Sequence, residues 1–253
     1  SAPDPSIERG IGAIAGLNTE DFYVRDVEDP RPDPNRLCTA NPYGTFARRL
    51  ARGIFANVAL GGVPCEVGGG DAELSDLYFL DVTRSDAGGA IVETRSAAPG
   101  ARLARLTMAF ANPPAGVWSG VRVTTEAAPS TVLDGLLLTG VRGPGARAMS
   151  LGSAANAQAV AWGAPSCFWD NDVDEDPAVL DAYGVAPIRG VAPGWVDASA
   201  SRYDLAPDSP LRAAGCGAGT AGIRDADWAH RKLKLRPLYM GPPPAACGLA
   251  TGA

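Results

Sequence analysis

The sequence repeats itself at a spacing of thirty residues. TRSAAPGARLARLTMA, Thr94 to Ala109, aligns without a gap on TTEAAPSTVLDGLLLT, Thr124 to Thr139. The alignment matches Thr94 with Thr124, Ala97 with Ala127, Ala98 with Ala128, Pro99 with Pro129, Leu103 with Leu133 and Leu106 with Leu136. One step earlier AELSDLYFLDV supplies Leu74 and Leu77, and RLARGIFANV reads as a degenerate first copy beginning at Leu50. Each unit offers a strand with a Leu-x-x-Leu-x-apolar core, a Gly/Pro turn, and a second short alternating strand: GAIVET, GVRVTT and RAMSLG. Periods of this size belong to solenoids, propellers and arrays.

The strand content chooses among them. A propeller blade needs four strands in roughly forty residues, whereas these units hold two or three in about thirty and carry no Gly-His or Trp-Asp signature. A leucine-rich repeat would need an Asn recurring after its strand, and none recurs. Stacked parallel rungs remain, because each rung buries its apolar face only on its neighbours. Composition agrees: with 31 Gly, 22 Pro, 7% aromatic and 46% hydrophobic residues in a chain of 253, the core is built from Ala, Val and Leu between frequent turns. The expected fold is all-β, a β-solenoid.

Downstream, NAQAVAWGAPSCFWDND alternates small and apolar residues like another rung and runs into acid. TVLDGLLLTG (Thr131 to Gly140), CFWDND (Cys167 to Asp172) and YDLAPDSPLRAAG (Tyr203 to Gly215) then follow in that order. This succession resembles secreted bacterial right-handed parallel β-helix proteins of the pectate-lyase-like superfamily. There, rungs of the form xxIDGLTITG precede FWxN, an Asp-rich loop and YxLxPxSPxxDAG. Ala213 stands where the family pattern has Asp. The resemblance spans roughly residues 70 to 215 and implies a right-handed parallel β-helix.

The ends read differently. Residues 1–44 pass from a short apolar run to a Pro/Asp/Asn-rich stretch, expected as an N-terminal cap and entry loop. The β-helix is expected over 45–215, and 216–253 as an irregular C-terminal arm packed on it. The start SAPDPS is compatible with a trimmed export signal, so a secreted or cell-surface location is expected. Cysteines 38, 65, 167, 216 and 247 show no metal-binding spacing, and His230 is the sole histidine. In an exported chain the pairings 38–65 and 216–247 are plausible, with Cys167, inside apolar SCFW, a buried free thiol.

A net charge of −6 with few lysines, the one basic run being HRKLKLR at 230–236, argues against a nucleic-acid partner. No apolar run approaches the length of a membrane span. The acid is concentrated in DNDVDEDP, where Asp170, Asp172, Asp174 and Asp176 alternate. Asp170, Asp172 and Asp174 fit the first, third and fifth places of an oxygen-rich calcium loop. Glu175 replaces the turn Gly, however, and Asp181 falls at the twelfth place. The segment therefore reads as a solvated loop, with calcium the one cofactor it admits.

Polysaccharide lyases on the resembling fold use an Arg or Lys base with calcium held by stacked acids, and hydrolases use closely spaced carboxylates. Asp76, Arg105 and Gly135 share one rung position, and Glu93 and Arg122 share another, which is a mixed ladder instead of a carboxylate cluster. Asp76, Asp81 and Arg105 are the catalytic candidates. Trp118 and Trp162 are candidate sugar platforms, with burial in a rung as the alternative. The expected function is a non-catalytic surface, matrix or adhesion protein whose partners are extracellular polysaccharide or copies of itself. A polysaccharide lyase or glycoside hydrolase is one alternative, and a subunit of a larger extracellular assembly another.

Overall fold

The computed structural model describes residues 18–29, 38–40, 48–61, 63–68, 72–84, 89–94, 100–111, 113, 118–124, 131–151, 160–176, 179, 183–198 and 202–218. Its regular structure, among the described residues, is almost wholly β-strand. One parallel sheet, here sheet A, contains β1 (Asn18–Asp29), β3 (Arg49–Leu60), β5 (Glu73–Arg84), β7 (Arg102–Ala109), β9 (Thr131–Asp134), β10 (Leu137–Thr139), β12 (Val160–Trp162), β13 (Cys167–Trp169) and β14 (Ile188–Arg189). A second, sheet B, contains β2 (Cys38–Ala40), β4 (Cys65–Val67), β6 (Ala90–Thr94), β8 (Ser119–Val123) and β11 (Arg147–Leu151). The chain alternates between the two sheets up to β9, β10 follows β9 in A, and β11 returns to B, so the Leu-rich strand of each repeat lies in A and the short alternating strand in B. An antiparallel pair, β15 (Trp195–Asp197) and β16 (Arg202–Leu205), and the short helix α1 (Pro210–Ala213) follow.

The repeat is a register. Leu50 lies opposite Leu74, Leu74 opposite Leu103, and Leu103 opposite Leu133. All four are fully buried, and Phe55, Phe79, Met108, Leu138 and Phe168 form a second internal row. The Phe55 and Phe79 rings stack at 5.2 Å between centroids. Sheet B meets them with Cys65, Val92, Val121 and Met149 in register, while the intervening Glu66, Glu93, Arg122 and Ser150 point to the other face, as a two-residue period requires. Truncating one such buried Leu to Ala costs about 2–5 kcal/mol, because its neighbours above and below cannot close the gap.

The long strands bend at fixed places. Arg52, Asn57, Asp76, Asp81 and Arg105 have φ of 52°, 53°, 54°, 49° and 50°, left-handed values that interrupt the β ladder. Pairing between β1 and β3 skips positions 21 and 26, opposite Arg52 and Asn57. β3 and β5 therefore each have two corners five residues apart.

The gap-free alignment of Thr94 on Thr124 is one residue out in sheet B, where Thr94 lies opposite Val123. The Thr124 N–H and hydroxyl both reach the Thr94 carbonyl. In sheet A the thirty-residue match of Leu103 with Leu133 holds, so the extra residue falls in the connection between. Residues 18–29, assigned by sequence to a cap and entry loop, are a strand paired with β3 along its whole length. Residues 1–17 and 219–253, with His230, the basic run and Cys247, lie outside the described residues.

The cysteine assignments change as well. Cys167 is not a free thiol: it is bonded to Cys216, with the two Cα atoms 6.1 Å apart, so Cys216 does not pair with Cys247. Cys167 lies opposite Leu137 on the outer side of sheet A, and residues 214–218 cross that side. Cys65 is also disulfide-bonded, and the pairing of β2 with β4 sets Cys38 opposite it.

Candidate functional site

Asp76 and Arg105 occupy neighbouring corners of sheet A, as their shared repeat position requires. The Arg105 guanidinium forks onto the carboxylate, with Nε to Oδ1 and Nη2 to Oδ2 both at 2.7 Å. The Asp76 side chain is 4% exposed and that of Arg105 22%. Hydrogen bonding to Asp76 raises the Arg105 pKa above its ordinary value, against the opposing effect of burial. Asp81 does not join them. It sits at the second corner, where its carboxylate accepts the Ala111 N–H at 2.7 Å.

Around this pair the charges alternate from strand to strand. Arg49 lies opposite Glu73 at 3.7 Å, and Glu73 lies opposite Arg102. Arg102 in turn donates to Asp134 at 2.6 Å. Burial on its own would raise the pKa of Asp134; the Ala164 N–H and the Arg102 guanidinium outweigh it and hold the carboxyl below its ordinary range. At the corner position the row runs Arg52, Asp76, Arg105 and then Gly135. Cations and anions thus neutralise one another across the sheet, and no two of these carboxylates are left side by side.

The acidic segment is not a free loop. Residues 173–176 run along β11 and extend sheet B: Ala148 N–H donates to Val173 O at 2.9 Å, Met149 N–H to Asp174 O at 2.8 Å, and Asp176 N–H to Met149 O at 3.1 Å. Its side chains lace it to the preceding layer. Asn171 accepts the Val141 N–H at 2.9 Å and donates to Leu138 O and to Asp174 Oδ1, both at 3.0 Å. Asp172 accepts the Gly143 N–H at 2.9 Å, and Asp176 accepts the Leu151 N–H at 3.3 Å. Asp170 pairs with Arg142, Asp176 with Arg147, and Glu175 with Arg189.

Calcium requires six to eight oxygens around one point. Here Asp170, Asp172, Asp174 and Asp176 turn to separate N–H and guanidinium donors. Among the described residues no group of three or more His, Cys, Asp or Glu side chains converges. The side chains tie the segment to the layer before it.

The two tryptophans part company. Trp118 is 2% exposed, edge-on to Phe110 at 4.9 Å, with its Nε1 donating to Arg142 O at 3.3 Å; it is core, not a sugar platform. Trp162 is half-buried and packs on Tyr183, with 4.3 Å between ring centroids. Arg189 stands 5.7 Å from the Tyr183 centroid and 5.9 Å from that of Phe168. Burial pushes the Tyr183 phenol up, and the Asp174 charge adds to the effect. Sequence reading missed Tyr183 and Arg189 because neither repeats; only their place after the acidic segment marked them.

Among the described residues no helix is long and apolar enough to cross a membrane. Compared with known proteins, the chain matches no family model, no curated protein and no solved structure.

Proposed function

We propose that the chain is a right-handed parallel β-helix of the pectate-lyase-like kind that works outside the cell as a non-catalytic surface, matrix or adhesion component, holding glycan or copies of itself. The alternation of the chain between two parallel sheets and the disulfide support this reading. One observation carries it: the best catalytic candidates are spent on each other. A lyase base must be able to take a proton, yet Arg105 is locked onto Asp76 and its pKa is raised, not lowered. A hydrolase needs two carboxylates across an open gap, and Asp76 is covered while Asp81 serves a different corner. For glycan the half-buried Trp162 and Tyr183 rings beside Arg189 supply the mixed apolar and cationic surface that sugars favour.

The test is incubation with acidic and neutral polysaccharides, with calcium and with chelator, followed by mass spectrometry and a retention assay. The expected result is no shortened or unsaturated product, with selective glycan retention or ordered self-association. Cleavage of any substrate would overturn the reading in favour of a lyase or hydrolase.

A further inference from the structure

The outer side of sheet A is apolar where its middle strands stack: Ile54, Tyr78, Leu80, Ala109 and Leu137 all lie there, each less than a tenth exposed. They are covered by the chain's own segment 202–218. Gly217 N–H donates to Gly135 O at 2.7 Å, Ala218 N–H donates to Thr107 Oγ1 at 2.8 Å, and the Tyr78 hydroxyl donates to Ala218 O at 3.1 Å. Two glycines make the seat. A Cβ on Gly135 would stand 2.3 Å from Gly215 O, and one on Gly217 would stand 2.8 Å from Thr107 Oγ1. The charged corner row thus gives way to Gly135 at the point where the cover docks. Cys216, in the middle of this contact, is bonded to Cys167 on β13.

We propose that residues 202–218 are a redox-gated cover, shut over the apolar face by the Cys167–Cys216 bond and released as a unit when that bond is reduced, while both sheets stay folded. The pairing of β1 through β13 is strand to strand and does not run through the cover, so its opening is a local event. A dithiol supplies the two electrons and two protons. Its thiolate attacks one sulfur, its second thiol resolves the mixed disulfide, and it departs as a cyclic disulfide, leaving Cys167 and Cys216 as thiols. Both sulfurs belong to fully buried residues, so attack follows partial lifting of the cover. The inference is independent of any glycan or catalytic role.

The test uses the full chain carrying Cys167→Ser and Cys216→Ser together, which leaves the Cys65 disulfide in place and adds no new unpaired thiol. Hydrogen exchange read by mass spectrometry should show faster exchange in 202–218, by about tenfold or more. Binding of a hydrophobic dye should rise, and circular dichroism and protection in β6 and β8 should be unchanged. Unchanged protection of 202–218 would overturn the proposal, because the non-covalent seat would then hold alone. Loss of protection throughout would overturn it too, by making the bond a staple for the whole fold. Gly217→Ala, with both cysteines intact, should raise exchange in 215–218 without disturbing sheet B; no change would refute the glycine seat.

Discussion

At position 76 a carboxylate is buried on a corner with positive φ, and the Arg105 guanidinium forked onto it offsets the cost. Removing one partner of a buried pair leaves the other charge uncompensated, which costs about 3–5 kcal/mol. Arg105→Ala should therefore lower stability by about that amount in a denaturant titration, and Arg105→Lys should recover only part of it, because an ammonium cannot fork onto both oxygens. The shared position of Asp76, Arg105 and Gly135 was legible in the sequence, since any register that stacks Leu74, Leu103 and Leu133 also stacks the residues between them. The conformation was not. Nothing in an Arg announces a left-handed backbone, which Asp and Asn tolerate more readily. Cys167 was misread for a related reason, because its apolar neighbours signalled burial but not which distant segment buries it.

Among the elements, the acidic segment shows how a side chain stands in for a strand partner. Asn171 satisfies the Val141 N–H and the Leu138 carbonyl where the ladder between layers breaks. Asn171→Ala should destabilise the fold by about 1–3 kcal/mol for each buried group left unpaired, visible as a lower thermal midpoint. The strands themselves were legible because inward Leu and alternating Val, Thr and Glu set the period. β1 and the layer at 173–176 were not, since their Asp-rich sequences carry the composition of loops and only pairing with β3 and β11 makes them extended.

At the scale of the molecule, three phenols among the described residues work against stability at alkaline pH. Burial, followed by the nearby Asp204 charge and hydrogen bond, raises Tyr78 well above its ordinary pKa; Tyr183 and Tyr203 are raised as well, chiefly by burial. A group whose folded pKa exceeds its unfolded one contributes stability that is complete below the unfolded value and lost as pH rises above it. Stability should therefore fall from about pH 10 upward. Tyr78→Phe should make that decline shallower while costing about 1–2 kcal/mol at neutral pH through loss of the hydrogen bond that its one O–H shares between Asp204 and Ala218. Denaturant midpoints measured from pH 7 to 11 would show both effects.

The paired corners carry a dimensional consequence. With bends five residues apart in both β3 and β5, the facet between the corners keeps one width across these two neighbouring strands. The two strands stand about 4.8 Å apart, the spacing of neighbours in a sheet. A side chain set between the corners of one of these strands therefore has its counterpart directly beside it on the other, so the two present a matched column and not two independent surfaces.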